Sequence, residues 1–349
     1  MKFKKREPIH FKGRTFGFEM TGLIPGYYEA DEVLSDRTKE LTCKLGKLVE
    51  KAVRQKFPNY VSDGCGGVDG HCIEIPSPKF TTWGKARNFY QFVKRLFRKH
   101  GITPHNRYTV CGGNHLHFGV SHWAVLSRIL RIVARHPEIA WVFTQPDDTD
   151  SANSIFSDAH LHGAYMKIPT DSVAGEDLLE VALRYRQTAT AEGLSHIIRR
   201  QLAGLMYRWD CSPRTSDMMT LMEQDMNLDT KIYSVECHVN ATDNPPLRDK
   251  FRIEFRCVEA PRDEQEFVDQ VDFFHRLVCA AEGSVIRLQD DFQPIEKLMT
   301  CDYLNKIPMA QAEERFRALC VVLGVNPARY QKYIRRNLRP RWELGRKRL

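Results

Sequence analysis

The chain has 349 residues, 42% hydrophobic and 28% charged, and its 52 Lys/Arg against 44 Asp/Glu leave a net charge of +8. Mean hydropathy is -0.45, and the length suffices for a substantial core, which excludes wholesale disorder, a collagen-like repeat and, without any apolar run of about 18 residues, a membrane-spanning architecture. The basic start at 1–6 is followed by Glu7, Pro8 and Lys12 rather than the apolar stretch of a secretion signal, so a cytoplasmic location is expected.

In chain order, residues 14–21 read as a strand and 31–56 as a helix with Leu41, Leu45, Leu48, Val49 and Ala52 on one face. A glycine-rich turn over 63–70 leads into a short strand, 71–76, closed by Pro76-Ser-Pro78. Residues 83–100 form a second predicted helix carrying Phe89, Phe92, Val93, Leu96 and Phe97, and 108–120 is strand-like around a Gly-Gly interruption. A helix is expected at 122–135, a polar loop able to cover a site at 144–153, and a strand at 159–168. Helices are expected at 176–190 and 194–207, a β-hairpin from 233–240 and 250–257 across Asp243-Asn-Pro-Pro246, and a long helix at 264–286. Strand groups of antiparallel character separated by long helices, without regular βαβ units, place the chain in the α+β class.

No repeat, low-complexity tract or Gly/Ser linker interrupts the chain, so one catalytic domain is expected at 15–328 between basic extensions at 1–14 and 329–349. The C-terminal stretch holds nine Lys/Arg against Glu343 alone, the N-terminal one six against Glu7. Such ends either grip a nucleic acid or an acidic partner, or stay solvated. Without an aromatic stacking ladder the solvated reading is favoured. The ten cysteines include no Cys-x-x-Cys pair, and most read as buried thiols. Cys65, His71 and Cys72 lack a second ligand pair, so no zinc site is predicted.

The informative anomaly is acid and imidazole inside strand-like segments: Glu19, Glu74, His115 with His117, and Glu254 between Arg252 and Arg256. Buried carboxylates are costly unless they face a metal, a base or a cavity. Two-residue spacing puts His115 and His117 on one face of their strand, and likewise Arg252, Glu254 and Arg256. Glutamates from three strands suit a hard cation such as Mg2+ or Mn2+, with imidazole as an extra ligand, and the arginines suit the phosphate such ions accompany. Singly, each motif has a plainer reading as an edge-strand carboxylate, a cross-strand ion pair or an amphipathic strand. Their conjunction points to a site for a metal-nucleotide.

Four segments, Gly17-Phe-Glu19, Gly70-His-Cys-Ile-Glu74-Ile-Pro-Ser-Pro78, Gly112-Gly-Asn-His115-Leu-His117 and Ile253-Glu254-Phe-Arg256, make the chain resemble the amidoligase family. That family belongs to the glutamine synthetase and glutamate-cysteine ligase superfamily of carboxylate-amine ligases, and some members occur in bacteriophage gene sets. The resemblance spans 15–260 and implies a curved antiparallel sheet forming a funnel, with ATP entering one end and Mg2+ or Mn2+ between sheet and phosphates. It implies Glu19, Glu74 and Glu254 as metal ligands, His115 as a metal or nucleotide-phosphate contact, and Arg256 as a clamp on the transferring phosphoryl group. Arg252 joins the nucleotide side, and His117 is a weaker candidate for it. The implied reaction makes an amide through an acyl phosphate, its partners being ATP, a carboxylate substrate and an amine, carried by a peptide, a cell-wall component or a protein. The family often has a second acid two residues after the first. Here that position is Thr21, which keeps a degenerate, purely binding or structural descendant in view.

A rival reading takes His115-Leu-His117 as the His-hydrophobic-His pair of a metal-dependent single-stranded DNA nuclease. His160-Leu-His162 would be a second such pair, with Tyr165 and Lys167 close by and Tyr330 or Tyr333 as a nucleophile. It leaves Glu19, Glu74 and the Arg-x-Glu-x-Arg strand unused.

Overall fold

The computed structural model describes residues 9–24, 36–60, 68–69, 72–104, 114–121, 138–143, 230–232, 235–239, 251–255, 258–283 and 309–339, with isolated positions between 125 and 136. The loop expected at 144–153, the strand at 159–168 and the helices at 176–190 and 194–207 lie outside them.

The described strands are β1 (Phe16–Leu23), β2 (Val68–Asp69), β3 (Cys72–Pro76), β4 (Thr103–Pro104), β5 (Asn114–Val120), β6 (Thr230–Ile232), β7 (Val235–Val239) and β8 (Phe251–Phe255). They form one sheet in the order β2-β3-β1-β5-β8-β7-β6, with β4 also paired to β1. Every pairing is antiparallel. The described helices are α1 (Asp36–Lys56), α2 (Trp83–Lys99), α3 (Glu138–Phe143), α4 (Glu264–Glu282) and α5 (Met309–Val322). A 3-10 turn, Pro327–Tyr330, continues through Gln331–Tyr333 into a π-helical turn, Ile334–Leu338. The mixed helix and antiparallel-sheet class agrees with the sequence reading.

Alternation along the strands separates two faces. Phe16, Phe18 and Met20 of β1, Ile73 and Ile75 of β3, Leu116, Phe118 and Val120 of β5, and Ile253 and Phe255 of β8 are all buried in one hydrophobic core. Phe18 packs edge-on against Phe89 of α2 at 5.7 Å and Phe267 of α4 at 4.8 Å, and Phe255 meets Phe274 of α4 at 4.5 Å. Helix α4 starts at Asp263, whose side chain accepts the Glu266 N–H, with Glu264 and Glu266 in the first turn. Away from the sheet, α4 presents Phe273 to Phe316 of α5 and to Tyr330, at 5.4 and 5.5 Å. The order of layers is therefore sheet, then α2 and α4, then α5 with the C-terminal turns.

Gly22 lets the end of α2 approach β1. A Cβ there would lie 2.5 Å from Ile102 Cγ2 and 2.8 Å from Phe97 Cε2, both on buried side chains.

The charge pattern misplaces both ends of the folded unit. Phe11 and Arg14 are buried, and the Arg14 guanidinium donates to Gly119 O at 3.1 Å and pairs with Glu282 Oε2 at 2.5 Å. At the other end, Tyr330, Tyr333, Ile334 and Leu338 are wholly buried. Their spacing is an apolar stripe of helical period that charge counting overlooks. The cations of this stretch find acids on and beside α4: Arg329 pairs with Asp269 at 2.7 Å, Lys332 with Asp269 at 3.2 Å, and Arg336 with Glu266 at 2.8 Å and also with Glu259. The stretch 329–339 thus packs one face into the core, through Tyr330, Tyr333, Ile334, Asn337 and Leu338, and is not a solvated tail, although Arg335 and Arg339 are exposed. The short β2, β4, β6 and α3 escaped the sequence reading because they hold too few residues to show a period.

Candidate metal centre

Register decides which residues meet on the face opposite the aromatic core. Glu19 is paired with His115, Thr21 with Glu74, His117 with Glu254, and Gly119 with Arg252. Directly paired residues share a face, and successive pairs on that face follow about 7 Å apart along the strands. Five of the sequence-predicted residues thereby converge from β1, β3, β5 and β8.

The contacts are close. His115 Nδ1 hydrogen-bonds Glu19 Oε2 and lies 3.1 Å from Glu254 Oε1. His117 Nε2 is 3.1 Å from Glu19 Oε1, and its Nδ1 is 3.8 Å from Glu254 Oε2. Two sets of three side chains have ligand atoms within 4.8 Å of one another: Glu19, His117 and Glu254, and Glu19, Glu74 and His115. Glu74, His115, His117 and Glu254 are buried.

Burial alone would raise the Glu19 pKa. The charges of His117 and His115, with the His115 hydrogen bond, outweigh it, holding the carboxyl well below the usual carboxylate range. A carboxylate held toward its ionised form and shared by two imidazoles is a good ligand for a divalent cation. His117 points the same way: among the described residues neither buried ring nitrogen makes a hydrogen bond of acceptable geometry, despite the nearby carboxylates. A buried imidazole left in that state is served by a ligand at one nitrogen.

Beside this cluster a cavity of about 690 Å³ opens over the sheet, lined by Glu19 and His117 and, farther along, by Gly17, Gly119, Lys79 and Arg252. The sequence reading missed Lys79 and treated Ser77 only as part of a strand stop. Ser77 extends the edge of β1 instead, its N–H donating to Phe18 O at 2.7 Å and its Oγ accepting the Phe18 N–H at 2.8 Å. Between two prolines, which have no N–H, it is the only residue of Pro76-Ser-Pro78 able to donate from its backbone.

Arg256 lies outside the described residues, as do Cys65, His71, His160, His162, Tyr165 and Lys167. Tyr330 and Tyr333 are described, and they overturn one part of the nuclease reading. Both are fully buried in the helical layers, with hydroxyls donating to Asp269 O and Glu266 O at 3.1 Å each, so neither is available to attack a phosphodiester over the sheet. Among the described residues no helix is long and apolar enough to cross a membrane.

No protein-family model and no curated protein matches the chain. Among solved structures, it is similar to the crystal structure of the complex between prokaryotic ubiquitin-like protein Pup and its ligase PafA, with 10% identity and a TM-score of 0.39. That similarity covers 97% of this chain and 66% of the other, so the chain spans just under two thirds of its length. A likeness this distant carries no weight for fold or function.

Proposed function

We propose that this sheet face is the metal and nucleotide floor of an ATP-dependent carboxylate-amine ligase, set in a funnel of the glutamine synthetase type. The observation that carries the reading is the convergence of Glu19, Glu74, His115, His117 and Glu254 into two adjoining sets of three ligands that share Glu19. One Mg2+ or Mn2+ would take Glu19, Glu254 and His117, a second Glu19, Glu74 and His115. With Thr21 in place of a second acid, the carboxylate on this side of the site would come from Glu74, its register partner.

Such ions, when bound, neutralise phosphate charge and polarise the γ-phosphoryl group. The chain's own residues supply the rest. Glu19 and Glu254 offer carboxylate oxygens to the cations, Arg252 extends the site toward phosphate, and Arg256 follows two residues beyond Glu254 as the phosphoryl clamp. In this reaction class a substrate carboxylate takes up the phosphoryl group and an amine then displaces phosphate, which requires a cavity that excludes water.

The test is the thermal midpoint of the protein with ATP and Mg2+ against either alone, in wild type and Glu254→Gln. Ligand at about 100 times its Kd adds about 2.7 kcal/mol, a shift of several degrees. A rise that needs both components and is lost in the variant is expected. No rise at saturating nucleotide, or an equal rise in Glu254→Gln, would sink the reading.

A further inference from the structure

The cavity has two chemically different ends, and the metal centre accounts for one of them. At the other, Arg252 reaches in from β8. Its Nε is buried and, among the described residues, has no hydrogen-bond partner. Lys79, just after the Pro76-Ser-Pro78 segment, reaches the same cavity from the opposite edge of β1. Among the described residues no carboxylate pairs with either cation. Elsewhere this chain supplies carboxylates to its arginines freely, as at Arg14, Arg329 and Arg336. Burying part of a guanidinium without a partner is unfavourable, and the deficit is removed when an oxyanion arrives.

The floor between the two cations is built to let one in. Gly119 is the register partner of Arg252, and Gly17 is that of His117. At both positions the sheet carries no side chain toward the cavity. No steric demand within the protein forces glycine at position 17, since a Cβ there would make only ordinary contacts, 3.5 Å to Ser77 Oγ and 3.8 Å to His117 Cβ. What it would do is project from the cavity floor. Arg252 also sits two residues from Glu254, about 7 Å along β8 on the same face. That separates the cationic end from the carboxylate-imidazole cluster by roughly the length of one phosphoryl or carboxyl group and its neighbour.

We propose that Arg252 and Lys79, across the bare floor of Gly17 and Gly119, form an oxyanion subsite distinct from the metal centre. It takes a phosphoryl or carboxylate group of the bound substrate. Which of these it takes rests on the ligase reading; that an oxyanion binds there does not.

Calorimetric titration of the full chain without metal, using tripolyphosphate and separately glutarate, tests this in wild type, Arg252→Gln and Lys79→Ala. Binding of at least one probe to wild type is expected, weakened about tenfold or more in Arg252→Gln and severalfold in Lys79→Ala, whose exposed position makes misfolding no explanation. Preference for tripolyphosphate assigns the subsite to nucleotide, preference for glutarate to the carboxylate substrate. Mn2+ affinity, followed by electron paramagnetic resonance, should be unchanged in both variants and lost in Glu254→Gln. If neither probe binds wild type, or both variants bind as wild type does, the subsite is overturned. Absence of Mn2+ binding in wild type would instead overturn the metal reading and leave the subsite standing.

Discussion

Glu19 on β1 bridges two histidines of β5, with one carboxylate oxygen hydrogen-bonded to His115 Nδ1 and the other 3.1 Å from His117 Nε2. It is the residue common to both three-ligand sets. Glu19→Gln keeps the side chain's shape and removes its charge, so it should lower Mn2+ affinity more than tenfold while the circular dichroism of the fold is retained. Titration of Mn2+ into the two proteins reads this directly, and equal affinities would exclude Glu19 as a ligand.

His275 of α4 gives the fold an acid-sensitive point away from that site. Its pKa falls from the ordinary 6.5 to about 3, chiefly through burial, with the positive charges of Arg14, Arg276 and Lys12 adding to the effect and Asp272 opposing it. Its ring lies against Phe11 and Phe118, and Cys279 Sγ is 3.6 Å from Nε2. Because the folded pKa is below the unfolded one, the unfolded chain binds the extra proton. Stability is therefore intact above pH 6.5 and drains as pH drops from there toward 3. Between pH 7 and pH 5 this one group should cost about 2 kcal/mol. Urea midpoints at the two pH values, for wild type and His275→Leu, should show that loss shrinking in the variant.

Gly22→Ala probes the seam between β1 and the end of α2. The added methyl would overlap Ile102 and Phe97, which are buried and cannot swing away. A loss of about 1–3 kcal/mol is expected in chemical denaturation, the usual result of overpacking. Gly17→Ala, whose methyl meets nothing closer than 3.5 Å, should change stability far less.

Arg336 closes the C-terminal turns onto α4. It pairs with Glu259 and Glu266 and its guanidinium carbon lies 5.0 Å from the centre of the Tyr333 ring, while Asn337 Nδ2 donates to Val142 O at 2.8 Å. Arg336→Ala leaves two buried carboxylates short of a partner and should cost about 3 kcal/mol. Deletion of 329–349 would strip Tyr330, Tyr333, Ile334 and Leu338 from the core, and the truncated chain should fail to give a cooperative thermal transition. A deletion that folds normally would contradict the packing of this segment.

Strand identity and the polar face were legible in the sequence because a strand's period of two is local. Phe16, Phe18 and Met20 alternate with Gly17, Glu19 and Thr21, and the spacing of His115 to His117 or Arg252 to Glu254 already assigns each pair to one side. Helix α4 was visible for the same reason, its apolar residues recurring at helical intervals after the cap Asp263. The turn signal at Asp243-Asn-Pro-Pro246 marked β7 and β8 as neighbours, which they are, but local pattern could not say how the other strands are ordered. The order β3-β1-β5-β8 joins residues from 72 to 255, and the ladder registers set Glu19 beside His115 and His117 beside Glu254. Nor could charge show that Arg329 and Arg336 have partners, since Asp269, Glu259 and Glu266 come near them only when the terminal turns pack on α4. Side-chain direction is set residue by residue along the chain. A site, a cavity and an ion pair are set by distances between segments far apart in sequence, and those exist only once the sheet and its helices have packed.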